Sequence, residues 1–356
     1  MDQILNLSFS AGIIALVTTF LSTFFVIRLA KRMGIIDDPK KHKHPKVIHT
    51  YPVPRGGGLA IFAGILLATL AFLPFDKHLK GILAGALVIT IVGFLDDKYD
   101  LNPYFRLFAQ FLAASLPIAA GIGIAFLSNP FNGVLDLSQP QINFHFLGEA
   151  RSIWVLSDAF ALFWIVFLMN ILNMGAKGID GQLPGIVTIT AIIIAAFSLR
   201  FSADITQWPV IILAGIIAGS YLGFLPWNIY PQKIMPSFGG SNLAGYFLAI
   251  LSILATAKVG TLFVVLGVPL IDTGYTIARR IASKRSPVWG DRGHLHHKLF
   301  DAGLSKRQVS LFYWLATLFL GLAALHLNSF QKIYTIIGVA IAIGGLLLWL
   351  TYQPKS

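Results

Sequence analysis

Long apolar runs separated by short polar segments set the pattern of this chain. About eleven runs are long enough to cross a bilayer as helix, which takes about 17–25 residues. They lie at roughly 8–29, 56–75, 80–96, 105–126, 155–174, 183–199, 208–226, 240–256, 259–278, 308–326 and 332–351. The runs are continuous rather than alternating, so they predict helices and not the strands of a barrel. The expected fold is all-α: a polytopic membrane protein of about 10–11 transmembrane helices, residues 1–356 forming one integral-membrane domain. The first run has no small-residue cleavage site and leads through RLAKR into a basic loop, so it reads as a retained helix.

Composition supports this. Of 356 residues, 56% are hydrophobic and only 12% charged, well under the soluble norm of about 25%. The absence of cysteine excludes disulfide and thiolate chemistry. The net charge of +12 raises nucleic acid as a partner, but basic residues flanking cytoplasmic helix ends account for it better, and no nucleic acid is expected.

If the helices alternate, about three quarters of the 27 lysines and arginines fall in connections on one side. The positive-inside rule makes that side cytoplasmic and places the N-terminus outside, in the plasma (inner) membrane. Five polar segments then share the cytoplasmic face: DPKKHKHPKVIHTYPVPRGGG (38–58), DDKYDLNP (96–103), NMGAKGIDG (173–181), PWNIYPQKIMPSFGGSN (226–242) and SKRSPVWGDRGHLHHKL (283–299).

Each carries candidate chemistry. Asp96 and Asp97 crowd two carboxylates at a helix end, where a hard cation such as magnesium would relieve their repulsion; a solvated helix end is the plainer reading. Asp180 lies among glycines that permit close approach to a ligand, ahead of a helix start that could receive phosphate. His294, His296 and His297 stand beside Asp291, Arg292 and Lys298. They could bind zinc, but no fourth soft ligand is near, and anion binding fits better. The first loop holds Lys40, Lys41, His42, Lys43, His44, Lys46, His49 and Arg55 and could rest on anionic lipid. Asp272 lies inside the ninth run, seven residues before Arg279 on the same face; the pair reads equally as a helix-orienting contact or a catalytic one. Together these segments suit a phosphorylated polar substrate beside the bilayer, and phosphoryl transfer to a lipid.

The same words resemble a known family. GIIDDPKKHKHPKVIHTYPVPRGGGLAIF, FLDDKYDLNPYFRLFAQ, NILNMGAKGIDG, PLIDTGYTIARR and SPVWGDRGHLHHKLFDAGLS resemble, in order over about residues 30–305, the motifs of the polyprenyl-phosphate N-acetylhexosamine-1-phosphate transferases. The match is to the branch that uses UDP-N-acetylglucosamine or a related sugar. The resemblance implies a glycosyl-1-phosphate transferase that takes a UDP-sugar and polyprenyl phosphate to polyprenyl-diphosphate-sugar and UMP, with Mg2+ (Mn2+ as the alternative ion), as a first membrane step of cell-envelope glycan synthesis. It implies catalytic roles for Asp96 and Asp97, metal contacts for Asp97 and Asp180, and substrate binding by Asn173, Arg292, His294, His296 and His297; Arg55 and Lys177 are further candidates for substrate binding. Membrane lipid is a further partner. A homodimer stays open, because helices that are apolar all round mark no dimer face.

Two departures stand out. NMGAKGIDG has one residue more than the family pattern, and Lys177 stands where a first Asp is expected. Phe238, in IMPSFGGSNLAG, stands at the position of a metal-binding Asp, and a phenyl ring offers no oxygen. A magnesium enzyme would then lean harder on Asp96, Asp97 and Asp180, with Lys177 able to neutralise diphosphate charge. The departures also leave open a changed sugar specificity, or a catalytically inactive relative that binds lipid phosphate or nucleotide sugar.

Overall fold

The structure is a computed structural model that describes residues 2–40, 48–129, 133–146, 149–255, 258–286 and 292–352. Lys41, His42, Lys43, His44, Lys46 and Asp291 lie outside the described residues.

Every apolar run becomes helix. In chain order the helices are α1 (Asp2–Arg32), α2 (Gly57–Phe72), α3 (Lys77–Tyr99), α4 (Pro103–Ala119), α5 (Val155–Gly175), α6 (Gln182–Leu199), α7 (Trp208–Asn228), α8 (Ser237–Leu254), α9 (Lys258–Val265), α10 (Gly267–Ala282), α11 (Leu295–Asp301), α12 (Lys306–Ala324) and α13 (Ser329–Tyr352). Among the described residues eight are long and apolar enough to cross a membrane. The chain is therefore a multi-pass membrane protein.

The other runs refine the expected count. The ninth run is broken: α9 and α10 meet at 81°. Pro269 explains the break, since it cannot donate to the Val265 carbonyl and its ring clashes there. α2 has 16 residues and α4 has 17, so at about 1.5 Å per residue each is shorter than a hydrocarbon core of about 30 Å.

α8 is the central helix. All residues from Ser237 to Ser252 are buried, and it packs against α2, α3, α5, α6, α7 and α9. Without a hydrophobic drive between helices in lipid, small residues let backbones close up. A Cβ on Gly219 would lie 2.0 Å from the Gly12 carbonyl, which ties α1 to α7, and one on Gly245 would lie 2.4 Å from Met169 Cα, which ties α8 to α5. The outer faces of α1 and α13 present Phe9, Phe25, Ile341 and Trp349, as lipid-facing helices do.

Strands are the element that periodicity missed. β1 (Ile36–Asp37) pairs with β2 (Val53–Pro54) beside the site described below. Two hairpins, β3 (Phe126–Ser128) with β4 (Val134–Asp136) and β5 (Gln141–Phe146) with β6 (Glu149–Trp154), fill the connection between α4 and α5 at the opposite end. QINFHF alternates polar and apolar residues, the two-residue period of a strand.

Candidate active site

The site forms where the starts of α2 and α8 meet the end of α3. Glycines make this possible. A Cβ on Gly58 would lie 2.6 Å from Gly240 N, and one on Gly93 would lie 2.5 Å from Gly239 Cα. The first turns of α2 and α8 are thus level with Gly93, inside the end of α3. The chain turns into α2 through Gly56, whose φ of 99° favours glycine. The Gly57 N–H donates to the Met235 carbonyl at 3.0 Å, and Met235 N–H donates to Pro54 at 2.9 Å, which stitches PVPRGGG to the start of α8. A narrow crevice results, lined by Gly56, Gly58, Leu59, Thr90, Gly93, Phe94, Asp97 and Gly239.

Asp96 and Asp97 occupy the last turns of α3 and are both buried. Arg55 bridges them: its Nε lies 3.1 Å from Asp97 Oδ1 and its Nη2 lies 3.9 Å from Asp96 Oδ2. Asp96 also accepts from Leu101 N–H at 3.1 Å and pairs with Arg106 Nη1 at 3.3 Å. Arg106 was not singled out from the sequence. The signal was there: Asn102 caps α4, with Pro103 in its first turn, and so aims Arg106 back at the acid pair. Lys177 and the Ser237 hydroxyl also act on Asp97.

Asn173 accepts from Ser241 Oγ at 2.8 Å, joining the end of α5 to the first turn of α8. One turn earlier, Asn170 donates to Gln110, which donates to Asn242, forming an amide chain across α4, α5 and α8 that the sequence reading had not isolated.

Asp180 is buried and turned elsewhere. Both its oxygens lie 3.4 Å from Lys306 Nζ, at the start of α12. A capping box at Ser305 and Gln308 sets that helix start and hence Lys306. Burial pushes the Asp180 carboxyl above the ordinary range, and Lys306 opposes the shift. Asp180 in turn helps burial raise the Tyr51 phenol. The loop is tied down further, since Ser310 Oγ donates to the Asp180 carbonyl at 2.6 Å and Gly181 N–H donates to Asn228 Oδ1 at 3.0 Å.

The histidines close over this loop. A Cβ on Gly178 would lie 1.8 Å from His296 Nε2, so the ring rests on the backbone between Lys177 and Asp180. His296 stacks on His294 at 5.4 Å and sits 4.5 Å from His297. Asp272 holds His294 Nδ1 at 3.1 Å and accepts from Leu295 N–H at 2.7 Å; it serves the histidine segment rather than Arg279, whose guanidinium lies against Gly293. Arg292 is half-exposed and pairs with Asp301, apart from the crevice.

The implied magnesium or manganese does not fit these residues. Phe238 is buried against Val92 and Ala109, with the Arg106 guanidinium 5.7 Å from its ring centre, so the position offers no oxygen. Asp96 and Asp97 already face arginine, and Asp180 faces Lys306. Among the described residues, no group of three or more His, Asp or Glu is placed to hold a metal ion. Asp97 and Asp180, the carboxylates expected to touch a metal, each have a protein cation as counter-charge here.

Known proteins agree with the motifs. The profile of glycosyl transferase family 4 matches residues 79–256. A probable undecaprenyl-phosphate N-acetylglucosaminyl 1-phosphate transferase of Bacillus subtilis is 32% identical over 90% of this chain and 84% of its own length. A decaprenyl-phosphate N-acetylglucosaminephosphotransferase of Mycolicibacterium smegmatis is 28% identical over 93% and 85%. A phospho-N-acetylmuramoyl-pentapeptide-transferase of Caldanaerobacter subterraneus is 28% identical over 79% and 84%. A profile spanning half of the chain and relatives matched over most of their length show that this chain belongs to glycosyl transferase family 4.

Proposed function

We propose that this chain transfers N-acetylhexosamine-1-phosphate from a UDP-sugar to polyprenyl phosphate, at the cytoplasmic face of the plasma membrane. An oxygen of the lipid phosphate attacks the sugar-bearing phosphorus of the UDP-sugar. One P–O bond forms, the P–O bond to UMP breaks, and UMP leaves with that electron pair. The products are polyprenyl-diphosphate-sugar and UMP. The names of the relatives supply the acceptor and the transferred group.

The observation that carries the reading is the placement of Asp97. It is buried in α3, yet it lines a glycine-walled crevice at the helix end, with Arg55 and Lys177 beside it. Glycines at the helix starts let a phosphate at the crevice mouth come close to backbone N–H groups. Asp97 orients the acceptor phosphate and takes its proton where one is present. Asp96, held by two arginines and the Leu101 N–H, positions those arginines. Asn173 and the histidines around Gly178 border the nucleotide-sugar side.

UMP release tests the reading. Purified protein, polyprenyl phosphate and a panel of UDP-sugars should yield UMP with at least one N-acetylhexosamine donor. Phe238 favours one rival, an inactive relative. Binding of a nucleotide sugar with no UMP from any donor would select that rival.

A further inference from the structure

We infer that this protein neutralises its phosphate substrates with fixed cationic side chains, chiefly Lys177 with Arg55 and Arg106, and that its transfer reaction does not require a divalent metal ion. The inference rests on the transferase reading.

Four observations carry it. First, Phe238 stands where the family pattern has a metal-binding Asp, and its ring is built into an apolar contact with Val92 and Ala109. Magnesium needs oxygen ligands in near-octahedral array and has none to gain there. Second, the acid pair is already neutralised: Arg55 touches both carboxylates and Arg106 touches Asp96. A dication would have to displace an arginine or sit among like charges. Third, Lys177 also stands where an Asp is expected, and its charge acts on Asp97. The substitution puts an ammonium within electrostatic reach of Asp97 in place of a carboxylate. Fourth, the remaining candidate ligand, Asp180, has both oxygens on Lys306, whose buried side chain comes from α12.

The charge balance explains what the arrangement does. Asp96 and Asp97 face three cations, Arg55, Arg106 and Lys177, so this group of side chains holds one more positive than negative charge before substrate enters. A diphosphate and a phosphate monoester bring several negative charges, and something must offset them during transfer. Arg55 and Arg106 keep about a quarter of their side chains exposed while holding the carboxylates, at 26% and 28%. They have donors left for phosphate, and a guanidinium fork matches phosphate geometry. The starts of α2 and α8 add partial positive charge at the same crevice. Preorganised cations of this kind need no reorganisation when negative charge develops.

The experiment compares UMP release by the full-length purified protein in excess EDTA and in millimolar magnesium. The rate is expected to agree within about twofold between the two. Lys177→Gln should cut the EDTA rate about a hundredfold, as loss of one preorganised charge does, and Lys177→Arg should restore most of it. Restoring both family carboxylates, as Lys177→Asp with Phe238→Asp, should leave turnover only in magnesium. A second readout avoids activity altogether. Titrating the wild-type protein with Mn2+ and following the electron paramagnetic resonance of the free ion should show no stoichiometric binding. Wild-type UMP release that vanishes in EDTA and returns with magnesium overturns the inference and leaves the transferase reading standing. One Mn2+ held per chain in the micromolar range overturns it too. No UMP under either condition, with any UDP-sugar, overturns the transferase reading and the inference together.

Discussion

Asp97 and Asp180 are the same chemical group in two different settings. Both are buried and both have a cation within reach. Asp97 faces a crevice between glycines, shares Arg55 with its neighbour, and feels the charge of Lys177. Asp180 faces inward to Lys306 and hangs on a loop fastened by Ser310, Asn228 and Trp314. The difference separates a carboxylate that can meet a substrate from one that fixes the loop a substrate meets. It also shows how far each contact reaches. Arg106 lies 10 residues from Asp96, whereas Lys306 lies 126 residues from Asp180.

Turnover is the sharpest way to break this comparison. Asp97→Asn keeps the shape of the crevice and removes the charge. It should lower kcat for UMP release by about a thousandfold, within the range for loss of a positioned acid–base group, with the melting temperature nearly unchanged. An equal loss in Asp180→Asn at unchanged stability would erase the distinction.

Stability should report the other half. Lys306→Ala leaves a buried carboxylate without its counter-charge and should cost about 3 kcal/mol near neutral pH, read from thermal melting in detergent. The pH dependence has a definite sign. The Asp180 carboxyl is raised in the folded chain, so its contribution to stability is complete below the ordinary carboxylate range and is lost as pH rises through the raised value. Removing Lys306 takes away what opposes the shift and should steepen that loss. Asp180→Asn should flatten it, and a slope unchanged by Asp180→Asn would assign the effect to another group.

Gly178→Ala asks whether the loop that Asp180 anchors also positions the histidines. The added methyl would collide with the His296 ring, and overpacking of this kind costs about 1–3 kcal/mol. Expressed in binding, that is about a tenfold or greater rise in KM for the UDP-sugar, with a smaller change in KM for the lipid phosphate. An equal change in both would place the histidines elsewhere in the reaction.

The smallest effect belongs to Arg292→Ala. Its pairing with Asp301 is half-exposed, and such pairs contribute about 1 kcal/mol or less. UMP release should stay within about twofold of wild type. A large rise in KM would return Arg292 to the substrate.

Much of the candidate site was legible in the sequence because its parts are local. PVPRGGG, the acid pair, NMGAKGIDG and the histidine segment each fall within a short window, and the distribution of basic residues predicted that they share a face. The break at Val265 was legible in principle from Pro269. Other features were hidden for a physical reason. Nothing near Lys306 marks it as the partner of Asp180, and nothing near Gln110 marks it as the link between Asn170 and Asn242.

The sequence alone determined the helical membrane architecture, since uninterrupted apolar runs of that length have no other way to satisfy their backbone in lipid. It also determined which polar words carry chemistry, and it exposed Lys177 and Phe238 as departures. Only the tertiary structure decided what each carboxylate faces. In a chain this poor in charge, a buried carboxylate must find a counter-charge, and which cation answers depends on helix packing across distances that no local pattern records.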